Sequence, residues 1–281
     1  GVAASDGHLS EVSGIGAKRR EMLQELNIRG LADLAAADPE QLATAMERFG
    51  EQHGDVARTL VAQARCQRSG KPERLSSTPA LPELIAAPGV LLYDIESAPA
   101  ARHDFLHGFW CLPCGSDGRW DLAAARYQPL LVLAEHGEPR CWQRIARYVS
   151  RYDDWPVLHY GETESLALLR MAQRQGVSEQ QQARLRRRLV DVHARIRQHW
   201  RLPLNSYGLK SVASWRGFQW GQSGVDGAHA LLWWRHWQGE GPERRGSSHA
   251  LRWIFQYNRD DCRATWAVAD WLRHQDQAGG S

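Results

Sequence analysis

The apolar positions of the chain change period once along its length. In the first part they recur at helical spacing: Leu23, Leu26, Ile28, Leu31 and Leu34 form one run, and Leu42, Ala45, Met46 and Phe49 a second. Asp38-Pro39 marks a helix start, because proline is suited to the first helical position. Residues 56–64 continue as a further helix. A stretch rich in Pro, Ser and Gly, residues 69–89, then breaks the pattern. This predicts a helical domain over residues 1–75, a linker over 76–89 and a second domain over 90–275.

The second domain opens on VLLYDIES, an apolar run of the kind found in a buried strand. Further strands are predicted over residues 104–111 and 130–135, giving a three-strand meander. A helix around residues 142–152, the short strand PVLHY and the helix GETESLALLRMAQRQG follow, the last with Leu166, Leu169 and Ala172 on one face. SYGLKSVASWRG, HALLWWRHW and the long HALRWIFQYNRDDCRATWAVADWL complete the helices. The fold class is therefore α/β, a mixed sheet flanked by helices and preceded by a small all-helical domain.

Composition narrows the class. The chain has 281 residues, 43% hydrophobic and 24% charged, which excludes wholesale disorder. No apolar run approaches the length of a membrane span, and the first residues lack a signal-peptide pattern, so a cytoplasmic location is expected. Gly1 and the closing Gly279, Gly280 and Ser281 read as boundary residues of a longer chain. The net charge of +3 does not argue for nucleic acid by itself. Residues 184–201, however, hold seven arginines against the single acid Asp191, a solvated helix face or a track for a phosphate backbone. Five scattered cysteines point to a reducing compartment. Cys111 and Cys114 have redox spacing, but no helix opens at the first of them, so a loop with two thiols is the expectation.

The chemistry lies in acids set into apolar segments. Asp94 and Glu96 are two apart on the first strand, so both carboxylates leave the same face. Buried together, they repel and lose hydration; a divalent cation is the natural compensation. Tyr257 and Asp261 are four apart on a helix and so adjoin, an arrangement in which a phenol can orient a water. Glu164 falls on a first helical turn after a short strand, with Glu162 as a competing candidate. Asp191 reads as a helix cap or as a residue that supports the ligands, rather than as a ligand itself.

In order and content these segments resemble the DEDD exonucleases of the ribonuclease-H-like superfamily, in the DnaQ-like group with a tyrosine in the last motif. The nearest likeness is to the YprB-like ribonuclease-H-like domains found beside RecB-type nuclease and helicase modules. The matching segments are Asp94-Ile-Glu96-Ser97, residues 159–164, Tyr207-Gly-Leu-Lys210 and residues 257–262. The resemblance implies a ribonuclease-H-like mixed sheet and a 3′→5′ exonuclease using two Mg²⁺ or Mn²⁺ ions. It implies that Asp94 bridges the ions and that Glu96 and Asp261 complete the site of the ion that activates water. Glu164 would serve the second ion, directly or through water, and Tyr257 would hold the attacking water. Glu164 departs from the wider superfamily, where an aspartate is usual. The partner implied is nucleic acid, DNA in preference to RNA, with a RecB-type nuclease or helicase fused or associated.

Two further features bear on nucleic acid. Val12 to Lys18, VSGIGAK, followed by a helix, resembles a helix-hairpin-helix element. Gly14 and Gly16 let backbone N–H groups approach a phosphate, while Lys18 and Arg19 can close on it. Lys210 is either a phosphate contact or an ordinary first-turn residue. Trp215, Trp220, Trp233, Trp234 and Trp237 sit at helical spacing and read as packing residues before base-stacking ones. The competing reading of the whole is a nucleic-acid-binding or scaffolding module of a larger nuclease-helicase, with weak or lost catalysis.

Overall fold

The computed structural model describes residues 8–135, 137–239 and 248–279; Gly1, Gly280 and Ser281, expected to be boundary residues, lie outside them. Two compact units form. The first comprises Gly1–Thr78 and Ile196–Val212, the second Pro79–Arg195 and Ala213–Ser281.

The first unit is built on α1 (Ala17–Glu25), α2 (Leu31–Ala36), α3 (Pro39–Glu47), α4 (Glu51–Asp55) and α5 (Ala57–Ser69), with a short strand β1 (Glu73–Arg74). α3 starts at Pro39 as expected, and Asp38 caps it, accepting from the N–H groups of Glu40 and Gln41. Leu23, Leu34, Met46, Val61 and Ala64 close a small core. Residues 196–212 join this unit although the hydrophobic pattern assigns them to the second domain. The reason is long-range pairing that leaves no local trace. Glu73 and Arg74 pair with Arg201 and Trp200, Gln63 Nε2 donates to the carbonyls of Leu202 and Leu204, and Tyr207 donates its hydroxyl to Gln63.

The second unit runs β2 (Gly89–Ala98), β3 (His103–Pro113), β4 (Arg126–Leu131), α6 (Gly137–Arg151), β5 (Val157–His159), α7 (Glu162–Arg174), α8 (Glu179–Arg188) and β6 (Leu189–Asp191). The chain then passes through α9 (Val192–His199), β7 (Trp200–Arg201, the partner of β1) and α10 (Leu209–Trp215) before α11 (Gly227–Gln238) and α12 (Ser248–Ala278). The sheet order is β4-β3-β2-β5-β6. β2, β3 and β4 form the antiparallel meander, while β5 and β6 add in parallel.

The third strand lies four residues earlier than the apolar run suggests. β4 is an edge strand, so its first half can be polar and can carry Pro129, whose missing N–H costs nothing there. β2 is buried on both faces. Leu91, Tyr93 and Ile95 meet Ile145, Tyr148 and Val149 of α6 and Leu168 and Met171 of α7. The opposite face carries Asp94, Glu96 and Ala98 by strand alternation, and Ala98 packs in the cluster that includes Trp234 of α11 and Ile254 of α12.

Candidate active site

Because β2 alternates, the carboxylates of Asp94 and Glu96 emerge together, and α12 brings Asp261 to them. One ligand oxygen of each of these three acids lies within 4.8 Å of the others. The register shifts directly after Glu96, an irregularity beyond which Ser97 and Ala98 pair with Asp104 and His103.

A close backbone approach fixes this meeting. Asp94 pairs across the sheet with Gly108 of β3. A Cβ on Gly108 would lie 1.6 Å from Asn258 Oδ1, so only glycine admits the Asn258 amide. Asn258 is fully buried. Its Nδ2 donates to the Asp94 carbonyl at 3.2 Å and to Asp94 Oδ2 at 3.1 Å, and its Oδ1 accepts from the Tyr127 hydroxyl at 2.7 Å. From a loop, Trp220 Nε1 donates to Asp261 Oδ1 at 2.8 Å, and Gly221 N donates to Asp260 Oδ2.

The electrostatics are those of a crowded acidic cup. Burial, with the charges of Asp261, Glu96 and Glu164, pushes the Asp94 carboxyl well above its ordinary range. Burial and Asp261 do the same to Glu96. Glu96 Oε1 is buried without a hydrogen-bond partner. Hard, anionic oxygens with unsatisfied lone pairs are the donor set that Mg²⁺ or Mn²⁺ prefers, so the residues present fit a divalent cation.

A family model for the RNase H superfamily matches residues 91–273. The chain belongs to the RNase H superfamily. No curated protein and no solved structure matches it. The RNase H-like domain and its acidic trio together fit a nuclease that acts on nucleic acid.

In this RNase H-like domain Glu164 lies outside the 4.8 Å trio, yet near enough for its charge to raise Asp94 and Glu96. It is buried on the first turn of α7, with Oε2 lacking a hydrogen-bond partner. Burial, helped by Asp191, Asp261 and Asp104, pushes it up to about 7. Its rival Glu162 is exposed. Gly161, at φ +98° where glycine is favoured, makes the turn into α7. Asp191 holds that turn by accepting from Gly161 N at 2.8 Å, and it also accepts from Ala194 N, which is the capping role expected of it. Tyr257 is buried beside the trio, and its phenol is raised by burial and by Asp261, Glu96 and Asp94 in turn.

The hydrophobic pattern missed Asn258 and Gly108 and gave Trp220 no role at Asp261. Asn258 adjoins Tyr257 in the last motif, which was the available signal. Trp234 is a core residue stacked on Phe105, and Trp215 packs edge-on against Trp271. The redox reading of Cys111 and Cys114 finds no support, since burial pushes both thiols up and away from reactivity.

Gly14, Gly16, Lys18, Arg19 and Lys210 belong to the first unit. Gly14 has φ +94°, Gly16 caps α1, and Arg19 Nη1 donates to the Gly14 carbonyl. A pocket of about 250 Å³ opens there, lined in part by Gly14, Arg19, Arg197, Arg201 and Tyr207. Lys18 and Lys210 are exposed on the first turns of α1 and α10.

Proposed function

We propose that the chain is a metal-dependent 3′→5′ exonuclease of the DEDD type with a motif tyrosine, acting on DNA in preference to RNA. Asp94, Glu96 and Asp261 would hold one divalent cation, Asp94 would be shared with a second, and Glu164 would serve that second ion. Bound Mg²⁺ or Mn²⁺ would neutralise the cup, polarise the scissile phosphate and lower the pKa of water. Asn258 and Trp220 keep the Asp94 and Asp261 oxygens pointed inward. The Tyr257 phenol, held protonated by burial and by its acidic neighbours, would donate to a water or phosphate oxygen at the cup. The observation that carries this reading is the convergence of Asp94, Glu96 and Asp261 within 4.8 Å, with Glu96 Oε1 buried and without a hydrogen-bond partner.

In the first unit, Gly14, Gly16, Lys18 and Arg19 would grip the phosphate backbone without regard to sequence, as a helix-hairpin-helix element does. The arginine-lined pocket beside Gly14 supports that placement. Lys210 as a phosphate contact, a RecB-type nuclease or helicase as the associated module, and a cytoplasmic setting belong to the same reading. The five free cysteines are consistent with that setting.

Digestion of DNA and RNA labelled at either end, with Mg²⁺ or Mn²⁺, tests the proposal. Stepwise loss from the 3′ end, absent in Asp94→Asn and with EDTA, is expected. Wild type cleaving no more than Asp94→Asn would reject it. The position of Glu164 outside the trio favours a second reading, a binding or scaffolding module with weakened catalysis. That reading requires strand binding unaffected by EDTA and no turnover.

A further inference from the structure

A row of side chains winds along α12 away from the cup. His249, Trp253, Tyr257 and Asp261 stand at successive four-residue intervals, and each step turns about 40° round the helix, so Trp253 lies about 80° round α12 from Asp261. Trp253 is eight residues from Asp261, about 12 Å along the axis, a span of a few nucleotides of strand. It is 46% exposed, unusual for so large an apolar ring. Trp253 is also ordered by its neighbours. Its ring contacts Trp233 at 5.7 Å and His249 at 6.4 Å between centroids, and Trp233 in turn contacts His229 at 6.2 Å. His229 is fixed by the capping box with Asp226. The loop that holds Asp261 through Trp220 reaches this row too, since Gln222 Nε2 donates to the Trp253 carbonyl at 3.1 Å.

The charge around the exposed part of the row is mainly positive, Asp226 being paired with His229. Neither α11 nor residues 248–259 contain Asp or Glu, whereas Arg235, Arg252 and Arg259 are exposed there. An aromatic row flanked by guanidinium groups, leading to a hydrolytic cup, matches a single-stranded nucleic acid: bases have faces to stack and the backbone needs cations.

We infer that Trp253, backed by Trp233 and flanked by His229 and His249, is a base-stacking platform that receives the strand a few nucleotides from the scissile bond. The position relative to the bond rests on the nuclease reading; the stacking itself does not. The platform predicts tolerance of sequence, because every base presents a π-face.

Binding of a labelled oligothymidylate by the full chain in EDTA tests it. Trp253→Ala is expected to weaken binding about 10- to 100-fold, with Trp253→Phe restoring most of it. An abasic strand of the same length should bind Trp253→Ala and wild type alike, which a merely structural role for Trp253 would not produce. Equal binding of oligothymidylate by Trp253→Ala and wild type, as when a protein partner is the true occupant of this face, overturns the inference. So does an equal loss on the abasic strand. If binding depends on Trp253 while wild type with Mn²⁺ digests nothing, the platform stands and the nuclease reading falls.

Discussion

Asn258 Nδ2 donates to Asp94 Oδ2 across 164 positions of sequence, through a gap that only Gly108 leaves open. Glycine and asparagine therefore act as a pair. Gly108→Ala should cost about 1–3 kcal/mol or more, since its Cβ would collide with the amide. Asn258→Ala should cost about 2 kcal/mol or more by leaving the buried Tyr127 hydroxyl and the Asp94 carboxyl short of a partner. In the double variant the amide oxygen is gone and the collision with it. Denaturant unfolding should therefore give a double-variant loss well below the sum of the singles. Additive losses would mean the two positions are not coupled.

Trp220 is the second positioning side chain. Trp220→Phe keeps a ring and removes the donor to Asp261. Loss of a hydrogen bond that orients a metal-binding carboxylate typically costs 10- to 100-fold in affinity or activity, on the order of other such outer partners. The expected signature is a higher Mn²⁺ concentration for half-maximal cleavage, with little change in melting temperature. An unchanged metal dependence would separate Trp220 from the cup.

What was legible in the sequence follows from where each signal sits. Asp94 and Glu96 stand out because charge inside an apolar strand violates the local pattern. The helical spacing of Tyr257 and Asp261 likewise places both on one side of α12 without reference to anything distant. Asn258 could not be assigned a role in this way, because its function depends on the missing side chain of Gly108. Trp220 lies in a loop where no period applies. The hydrophobic pattern places residues 196–212 in the second domain because their link to the first unit is one two-residue strand pair and the hydrogen bonds of Gln63 and Tyr207. The third strand begins ahead of its apolar run because its edge position leaves Arg126 and Gln128 free to be polar.

Metal binding and stability oppose each other in the carboxylate cup. Without cations, Asp94 and Glu96 are held at a cost, as their raised pKa values record. Asp94→Asn removes one charge while keeping an acceptor for Asn258, so the metal-free variant should be more stable than wild type by on the order of 1–2 kcal/mol. With Mn²⁺ in large excess wild type should gain about 2–3 kcal/mol, which Asp94→Asn should not. Melting curves with EDTA and with Mn²⁺ check both statements. A metal-free Asp94→Asn less stable than wild type would contradict the repulsion argued for the cup.

His107 supplies the pH dependence. It is fully buried on β3, where Nδ1 meets the Tyr93 hydroxyl at 2.7 Å and Nε2 has no hydrogen-bond partner. Burial lowers its pKa from the ordinary 6.5 to about 4, against the pull of Asp104. The folded chain therefore keeps His107 neutral while the unfolded chain protonates it below about 6.5. Stability from this residue is fully present above that pH and is lost as pH falls toward 4, by about 3 kcal/mol in all. In the metal-free protein Asp94, Glu96 and Glu164 work in the opposite direction, since protonation relieves them. The difference between wild type and His107→Gln isolates the histidine, because the carboxylates are common to both. Unfolding free energies between pH 7 and 4 should show wild type losing more than His107→Gln, the gap widening by up to one proton's slope. Parallel curves would place the acid sensitivity elsewhere.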